Sequence, residues 1–236
     1  MKTIVYKISE TDETVWLKAA GDVLAAGGLV GIPTETVYGL AANALDAEAA
    51  AKIYAAKGRP SDNPLIIHIA DRKSLDEIAS EVSKKAEKLM DAFWPGPMTL
   101  IFRKKENVPM STTGGLETVA VRMPSHPVAR ELIRQSGVYI AAPSANTSGR
   151  PSPTKAEHVI EDLSGKIDMI IDGGSVGIGL ESTIVDMSED IPVILRPGYI
   201  TKKMLENVVG EVKVDPAIVG EAPKKNIIAK APGMKY

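Results

Sequence analysis

The chain contains no cysteine, which excludes disulfide staples, thiolate nucleophiles and cysteine-ligated metals and fits a reducing compartment. It carries almost no net charge: 28 Lys and Arg against 30 Asp and Glu leave −2, so a protein that holds nucleic acid mainly by bulk electrostatics is not expected. Aromatic residues are only 4%, which weakens any case for a base-stacking platform. No apolar run reaches membrane-spanning length, and Met1-Lys2-Thr3-Ile4-Val5-Tyr6 is too short in apolar residues for a secretory signal. The expectation is a cytoplasmic globular protein. Its 236 residues, 44% hydrophobic, can bury one substantial core.

Several catalytic signatures are missing too. The glycine-rich stretch Gly173-Gly174-Ser175-Val176-Gly177-Ile178-Gly179 has neither the Gly-Lys-Ser/Thr ending of a P-loop nor GxGxxG spacing. A nucleotide, if bound, is held some other way. The Ser144 loop offers no neighbouring base in sequence, so a Ser-His-Asp hydrolase is not expected. His68, His126 and His158 lie far apart without an HExxH pattern, so no metal ligands are assigned.

What is present is a set of rigid polar segments where apolar runs end: Pro33-Thr34-Glu35-Thr36-Val37-Tyr38-Gly39-Leu40, Lys57-Gly58-Arg59-Pro60-Ser61-Asp62-Asn63-Pro64 and Pro143-Ser144-Ala145-Asn146-Thr147-Ser148-Gly149. Proline and glycine stiffen such loops, and their hydroxyl, amide and cationic groups can face a ligand. Lys57 with Arg59, and Ser144 with Asn146, are each two residues apart, so in extended backbone each pair points one way. Together they suit an anionic substrate.

Between these segments helical and strand patterns alternate. Thr11 or Asp12 is expected to cap a helix with Val15, Ala19 and Leu24 on its apolar stripe, stopped by Gly27-Gly28. Asp46 is the expected N-cap of an Ala-rich helix over 47–56 that Gly58 ends. Thr154-Lys155-Ala156-Glu157 matches a capping box for a helix to about Leu163. Further helices are expected at 74–78, 83–93, 126–135 and 201–209. Strands are expected at 29–32, 65–69, 98–103, 119–123, 138–142, 169–172, 182–186 and 193–196, with a short one near Val212. Such alternation predicts an α/β, or mixed α+β, domain on a twisted sheet with its site in the loops at strand ends.

With Phe93-Trp94-Pro95-Gly96-Pro97-Met98-Thr99, Val121-Arg122-Met123-Pro124, Glu181-Ser182-Thr183-Ile184-Val185 and Leu195-Arg196-Pro197-Gly198 added in order to the three segments above, residues 10–214 closely resemble the YrdC-like family, the threonylcarbamoyl-AMP synthases. The resemblance implies a YrdC-like twisted open sheet with flanking helices. It also implies conversion of L-threonine, bicarbonate and ATP to threonylcarbamoyl-AMP and diphosphate, with Mg²⁺ as the expected ion. The resemblance further implies that the threonylcarbamoyl group then passes to position 37 of tRNA through a downstream threonylcarbamoyl transferase.

Carried over by resemblance, Arg59, Asn63, Thr118, Ser144, Ser152 and Arg196 fall on nucleotide-contacting positions, and Tyr236 is an added candidate. Thr36, His68, Arg122, Ser182 and the Ala142 backbone fall on threonine-contacting ones. Lys57, Arg59, Ser144 and Asn146 are the candidate catalytic set, because nucleotidyl transfer rests on positioning and charge neutralisation. Each residue alone has a plainer account: Lys57 and Arg59 as solvated charges at a helix C-terminus, His68 as a core histidine, Arg122 and Arg196 as surface ion-pair partners. Their joint order favours the site.

Residues 1–214 read as the catalytic domain. From Asp215 the composition turns to proline, glycine and paired lysines, so 215–236 reads as a linker or arm. Its ending resembles the linker of a longer two-domain branch, cut before a second domain. The rival function is a noncatalytic RNA-binding module.

Overall fold

The computed structural model describes residues 2–8, 13–218 and 230–232. Among them the strands are β1 (Ile4–Lys7), β2 (Val30–Ile32), β3 (Gly39–Asn43), β4 (Ile66–His68), β5 (Met98–Arg103), β6 (Thr118–Arg122), β7 (Ile140–Ala141), β8 (Met169–Asp172), β9 (Thr183–Asp186), β10 (Val193–Arg196) and β11 (Lys213–Val214). The helices are α1 (Glu13–Ala25), α2 (Ala47–Lys57), α3 (Leu75–Ile78), α4 (Lys84–Phe93), α5 (Met110–Thr113), α6 (Pro127–Ser136), α7 (Ala156–Leu163) and α8 (Lys202–Val209). The strands form one mixed sheet in the order β1-β8-β2-β3-β7-β4-β6-β5-β9-β10-β11. The expected α/β class, with helices on a sheet, is what the chain adopts. None of the described helices is long and apolar enough to cross a membrane.

Alternation along the strands decides which face each residue serves. At the β1-β8-β2-β3 end both faces are covered. Val30, Ile32, Met169 and Ile171 pack with Leu17, Ala20 and Leu24 of α1 and Leu132 of α6, while Ile170 turns to the other side, with Val159 and Leu163 of α7. At the β4-β6-β5-β9-β10 end, Ile67, Val121, Leu100 and Val185 face the main core with Leu89 and Leu205. Their neighbours Ile66, Ala120, Ile101, Ile184 and Leu195 form a separate small apolar cluster on the opposite face, with Ala231. The site opens on that second face.

Local chemistry sets the elements that border it. Asp46 Oδ1 accepts from the Glu48 and Ala49 amides and starts α2. Gly58, at φ 61°, ends α2 in the left-handed conformation. That stop fixes where Lys57 leaves the helix.

Some expectations fail for identifiable reasons. Val15 is 66% exposed, and the inward stripe of α1 is Leu17, Ala20 and Leu24. Packing against α6 selects that face, and Val15 lies about 200° around the helix from Leu17. The Thr11 or Asp12 cap falls outside the described residues. The Thr154 capping box does not form: the N-cap is Lys155, with no side-chain bond. Thr154's carbonyl instead accepts from the Val176 amide, which holds the residue in the loop. Two strands were not foreseen. β1 is a half-exposed edge without clean alternation, and β3, Gly-Leu-Ala-Ala-Asn, is built of small residues with weak strand preference. Beyond β11, the Asp215 amide donates to Ile194 O, and the Asp215 carboxylate accepts from the Ala217 amide and pairs with Lys230.

Candidate functional site

A cleft of about 480 Å³ lies on the second face and gathers residues from eight separated stretches of chain. The strands deliver them by period two: His68 follows Ile66, Arg122 follows Ala120, and Ser182 precedes Ile184 by two residues. Each is therefore on the same face as its apolar neighbour. A register shift between Ile194 and Arg196 against β9 lets consecutive residues serve one side. Leu195 enters the small cluster and Arg196 the cleft wall.

One part of the cleft centres on Arg122, which is 4% exposed. Its Nη1 donates to Thr36 Oγ1 at 2.9 Å, its Nε to Gly96 O at 3.3 Å, and its Nη2 stands 2.7 Å from Glu35 Oε1. The last contact lies off the hydrogen-bond axis and acts as an ion pair. Two hydrogen bonds and the ion pair thus hold the guanidinium in one orientation, with its positive charge beside the cleft where a carboxylate could be received. Burial pushes Glu35 up, but the Arg122 charge and hydrogen bonds outweigh it and hold Glu35 below the usual carboxylate range. Thr34 Oγ1 fixes the turn by donating to Val37 O and by lying 3.0 Å from Thr36 Oγ1.

His68 lines the same part of the cleft and is only 2% exposed. Its Nδ1 is 3.1 Å from Ile66 O. A carbonyl only accepts, so Nδ1 carries the proton and Nε2 is left as an acceptor. Burial, then the Arg122 charge, push the imidazole pKa down to about 3. Ala142 is adjacent, and its amide donates to Ile66 O, so its carbonyl is what the backbone offers a ligand.

The other part of the cleft carries the remaining cations. Lys57 is 1% exposed, and its Nζ donates to Ser144 O, to Asn146 O at 2.5 Å and to Asn146 Oδ1 at 3.2 Å. The solvated-charge account of Lys57 is therefore overturned: it ties the end of α2 to the 144–146 loop. Burial, then the Arg59 charge, push its pKa down to about 7, against the opposing pull of Glu181 and Asp162. Asn146 Nδ2 donates to Thr147 O and Arg150 O and sets the rest of the loop. Arg59 lines the cleft and is braced by Asn63 Oδ1 at 2.6 Å and Pro64 O at 2.9 Å.

Arg196 Nε and Nη2 both donate to Ser182 O, Nη2 also reaches Ser182 Oγ at 3.0 Å, and Nη1 pairs with Glu181 at 2.8 Å. Ser152 Oγ donates to the same Glu181 at 2.9 Å. Gly198 is demanded by close approach, because a Cβ there would lie 2.6 Å from Glu181 O and from Thr183 N. Pro232 reaches the cleft wall, so the described end of the arm meets the site.

Of the expected site residues, Thr36, Lys57, Arg59, His68, Arg122, Ala142, Ser144, Asn146, Ser152, Ser182 and Arg196 line this one cleft. Asn63 and Thr118 do not. Asn63 is fully buried behind Arg59, and Thr118 is half-buried at the far end of β6, opposite Arg103. Tyr236 falls outside the described residues. Sequence reasoning did not assign Glu35 and Glu181, although each lay inside a quoted motif beside an assigned residue. A carboxylate next to a hydroxyl residue at a strand end was the signal, but its arginine partner is distant in sequence.

Residues 22–198 match the Sua5/YciO/YrdC family model, described as telomere recombination. The chain is 53% identical over 234 residues to the threonylcarbamoyl-AMP synthase of Pyrococcus abyssi, covering 99% of this chain and 68% of that protein. It is 52% identical over 241 residues to the enzyme of the same name from Bacillus subtilis, covering 100% of this chain and 68% of the relative. Among solved structures, P. abyssi Sua5 complexed with L-threonine superposes with a TM-score of 0.95, covering 99% of this chain and 68% of that one.

Proposed function

Because the chain belongs to the Sua5/YciO/YrdC family, we propose that it is a threonylcarbamoyl-AMP synthase, a nucleotidyltransferase that makes threonylcarbamoyl-AMP and diphosphate from L-threonine, bicarbonate and ATP. The observation that carries this reading is the match to the L-threonine complex at 53% identity, together with a cleft lined by the oriented guanidinium of Arg122. The reading of the chain as a noncatalytic RNA-binding module is not favoured.

The threonine amine takes up bicarbonate carbon to give a carbamate and water. A carbamate oxygen then attacks the α-phosphorus of ATP, and diphosphate leaves. Neither step needs an enzyme nucleophile, which suits a cleft of cations and hydroxyls without cysteine. Arg122 would receive the α-carboxylate, with Thr36, His68 Nε2, the Ala142 carbonyl and Ser182 around the remaining polar groups. Because the last three are fixed by the sheet, the amine is held in one place while the carbamate forms. Arg59, Ser144, Asn146, Ser152 and Arg196 would take the nucleotide, with Asn63 bracing Arg59, and Lys57 holding the loop and adding charge where the phosphates gather. Thr118 remains a proposed nucleotide contact on resemblance alone.

Mg²⁺ would enter with ATP as part of the substrate. Among the described residues no three His, Asp or Glu side chains cluster to hold a metal, and Glu181 is the one carboxylate on the cleft wall. That donor set fits a cation carried by phosphate oxygens better than a resident ion. The mixed anhydride formed is labile, so a threonylcarbamoyl transferase acting on tRNA must consume it promptly. We place the reaction in the cytoplasm, in a catalytic domain of residues 1–214 with residues 215–236 as an arm beside it.

The test is mass spectrometry of small molecules sampled rapidly after mixing protein, ATP, Mg²⁺ and bicarbonate with or without L-threonine. Threonine-dependent threonylcarbamoyl-AMP with matching diphosphate is expected. Absence of both products, with neither ATP nor threonine bound in titrations, would overturn the reading.

A further inference from the structure

Thr99 lies in the middle of the cleft floor without lining the cleft. It is fully buried on β5, directly opposite Arg122 of β6 on one side and Ile184 of β9 on the other. Side chains directly opposite share a face, so Thr99 stands between Arg122 and Ser182. Its Oγ1 is 2.7 Å from Ser182 Oγ, its one hydrogen-bond partner among the described residues.

Counting hydrogens assigns the direction of that bond. A hydroxyl has one hydrogen and two acceptor sites. Ser182 Oγ already accepts from Arg196 Nη2 at 3.0 Å. Were Ser182 to donate to Thr99, the Thr99 hydrogen would have no acceptor within the fully buried site, and an unmade buried hydrogen bond is costly. Were Thr99 to donate, Ser182 would accept from both neighbours, and its own hydrogen would be left to point into the cleft. Only the second arrangement leaves no buried hydrogen orphaned.

We propose that Thr99 is a positioning residue which, through Ser182, presents a fixed hydroxyl donor to an acceptor oxygen of the bound amino acid. The proposal rests on the threonine-binding reading above. It adds a residue that touches no substrate yet decides which way a substrate-contacting hydroxyl faces. The same bond links the two halves of the cleft, since Arg196 and Thr99 converge on one oxygen.

Two variants separate this role from packing. Thr99→Val keeps the branched shape and removes the hydroxyl, while Thr99→Ser keeps the hydroxyl and removes the methyl. If Thr99 orients Ser182, Thr99→Val raises the threonine Kd in calorimetric titration by about tenfold, the size of one oriented hydrogen bond to a charged group. Thr99→Ser then stays close to the parent, and ATP affinity moves less than threonine affinity in both. The reverse order, with Thr99→Ser impaired and Thr99→Val normal, would assign Thr99 to packing and overturn the proposal, as would two variants indistinguishable from the parent. Failure of the parent protein itself to bind threonine would instead sink the function on which the proposal rests. Circular dichroism melting of both variants confirms that the compared proteins are folded.

Discussion

Arg122 Nη2 and Glu35 Oε1 lie 2.7 Å apart, with side-chain exposures of 4% and 13%. Glu35 sits behind the guanidinium rather than on the cleft wall, so the pair neutralises a buried charge and fixes the plane that a ligand carboxylate meets. Because removing one partner of a buried pair strands the other, Arg122→Ala should lose about 3–5 kcal/mol of stability and most threonine affinity. Arg122→Lys should recover part of the stability but not the affinity, since an ammonium lacks the planar fork. Urea unfolding and threonine titration of both variants check this, and full threonine affinity in either would remove Arg122 from the site.

His68 makes stability depend on acid. Its folded pKa is about 3 against an ordinary 6.5, so between those values the unfolded chain binds a proton that the folded chain refuses. Its contribution is therefore complete above pH 6.5 and is lost as pH falls toward 3. At about 1.4 kcal/mol per unit of pKa difference, the loss approaches roughly 5 kcal/mol. Unfolding midpoints taken from pH 7 to pH 4 should drop steeply in the parent and less in His68→Gln; parallel curves would refute the assignment. Threonine affinity should not show a histidine titration between pH 5 and pH 8.

Lys57 links nucleotide binding to protons. Burial and the Arg59 charge push its pKa down to about 7, and an arriving phosphate anion raises it. ATP binding near pH 7.5 should thus take up a fraction of a proton, and affinity should fall as pH rises from about 7 toward the ordinary lysine range. Calorimetric enthalpies measured in two buffers of different ionisation heat report the uptake, which Lys57→Met should abolish. Equal enthalpies in the parent would count against it.

Gly198 has no room for a side chain. Since its Cβ would meet Glu181 O and Thr183 N at 2.6 Å, Gly198→Ala must push the 181–183 segment away from Arg196. The expected cost is about 1–3 kcal/mol for overpacking, with weaker binding of both ATP and threonine because Ser182 and Arg196 move together. A parent-like melting midpoint with parent-like affinities would show that the backbone yields without consequence.

Local signals carried much of this protein. Asp46 and Gly58 delimit α2 because capping depends on a few adjacent residues. The strands with β-branched runs were legible for the same reason, and ordered motifs named the family and most of the cleft. Other features depended on partners distant in the chain. Val15 and Leu17 are equally apolar, and only the position of α6 decides that Leu17 faces inward. β3 is a strand because β2 and β7 flank it, not because Gly-Leu-Ala-Ala-Asn prefers one. Glu35 acquires its role from Arg122, and Lys57 becomes a buried tie only when the 144–146 loop folds over the end of α2. Sequence by itself determined the punctuation, the apolar periodicity and the inventory of chemical groups, all of which act over a few residues. Tertiary structure alone decided which charges meet, which hydrogens are left free and which face of the sheet stays open. Those outcomes depend on distances that appear only after remote segments pack.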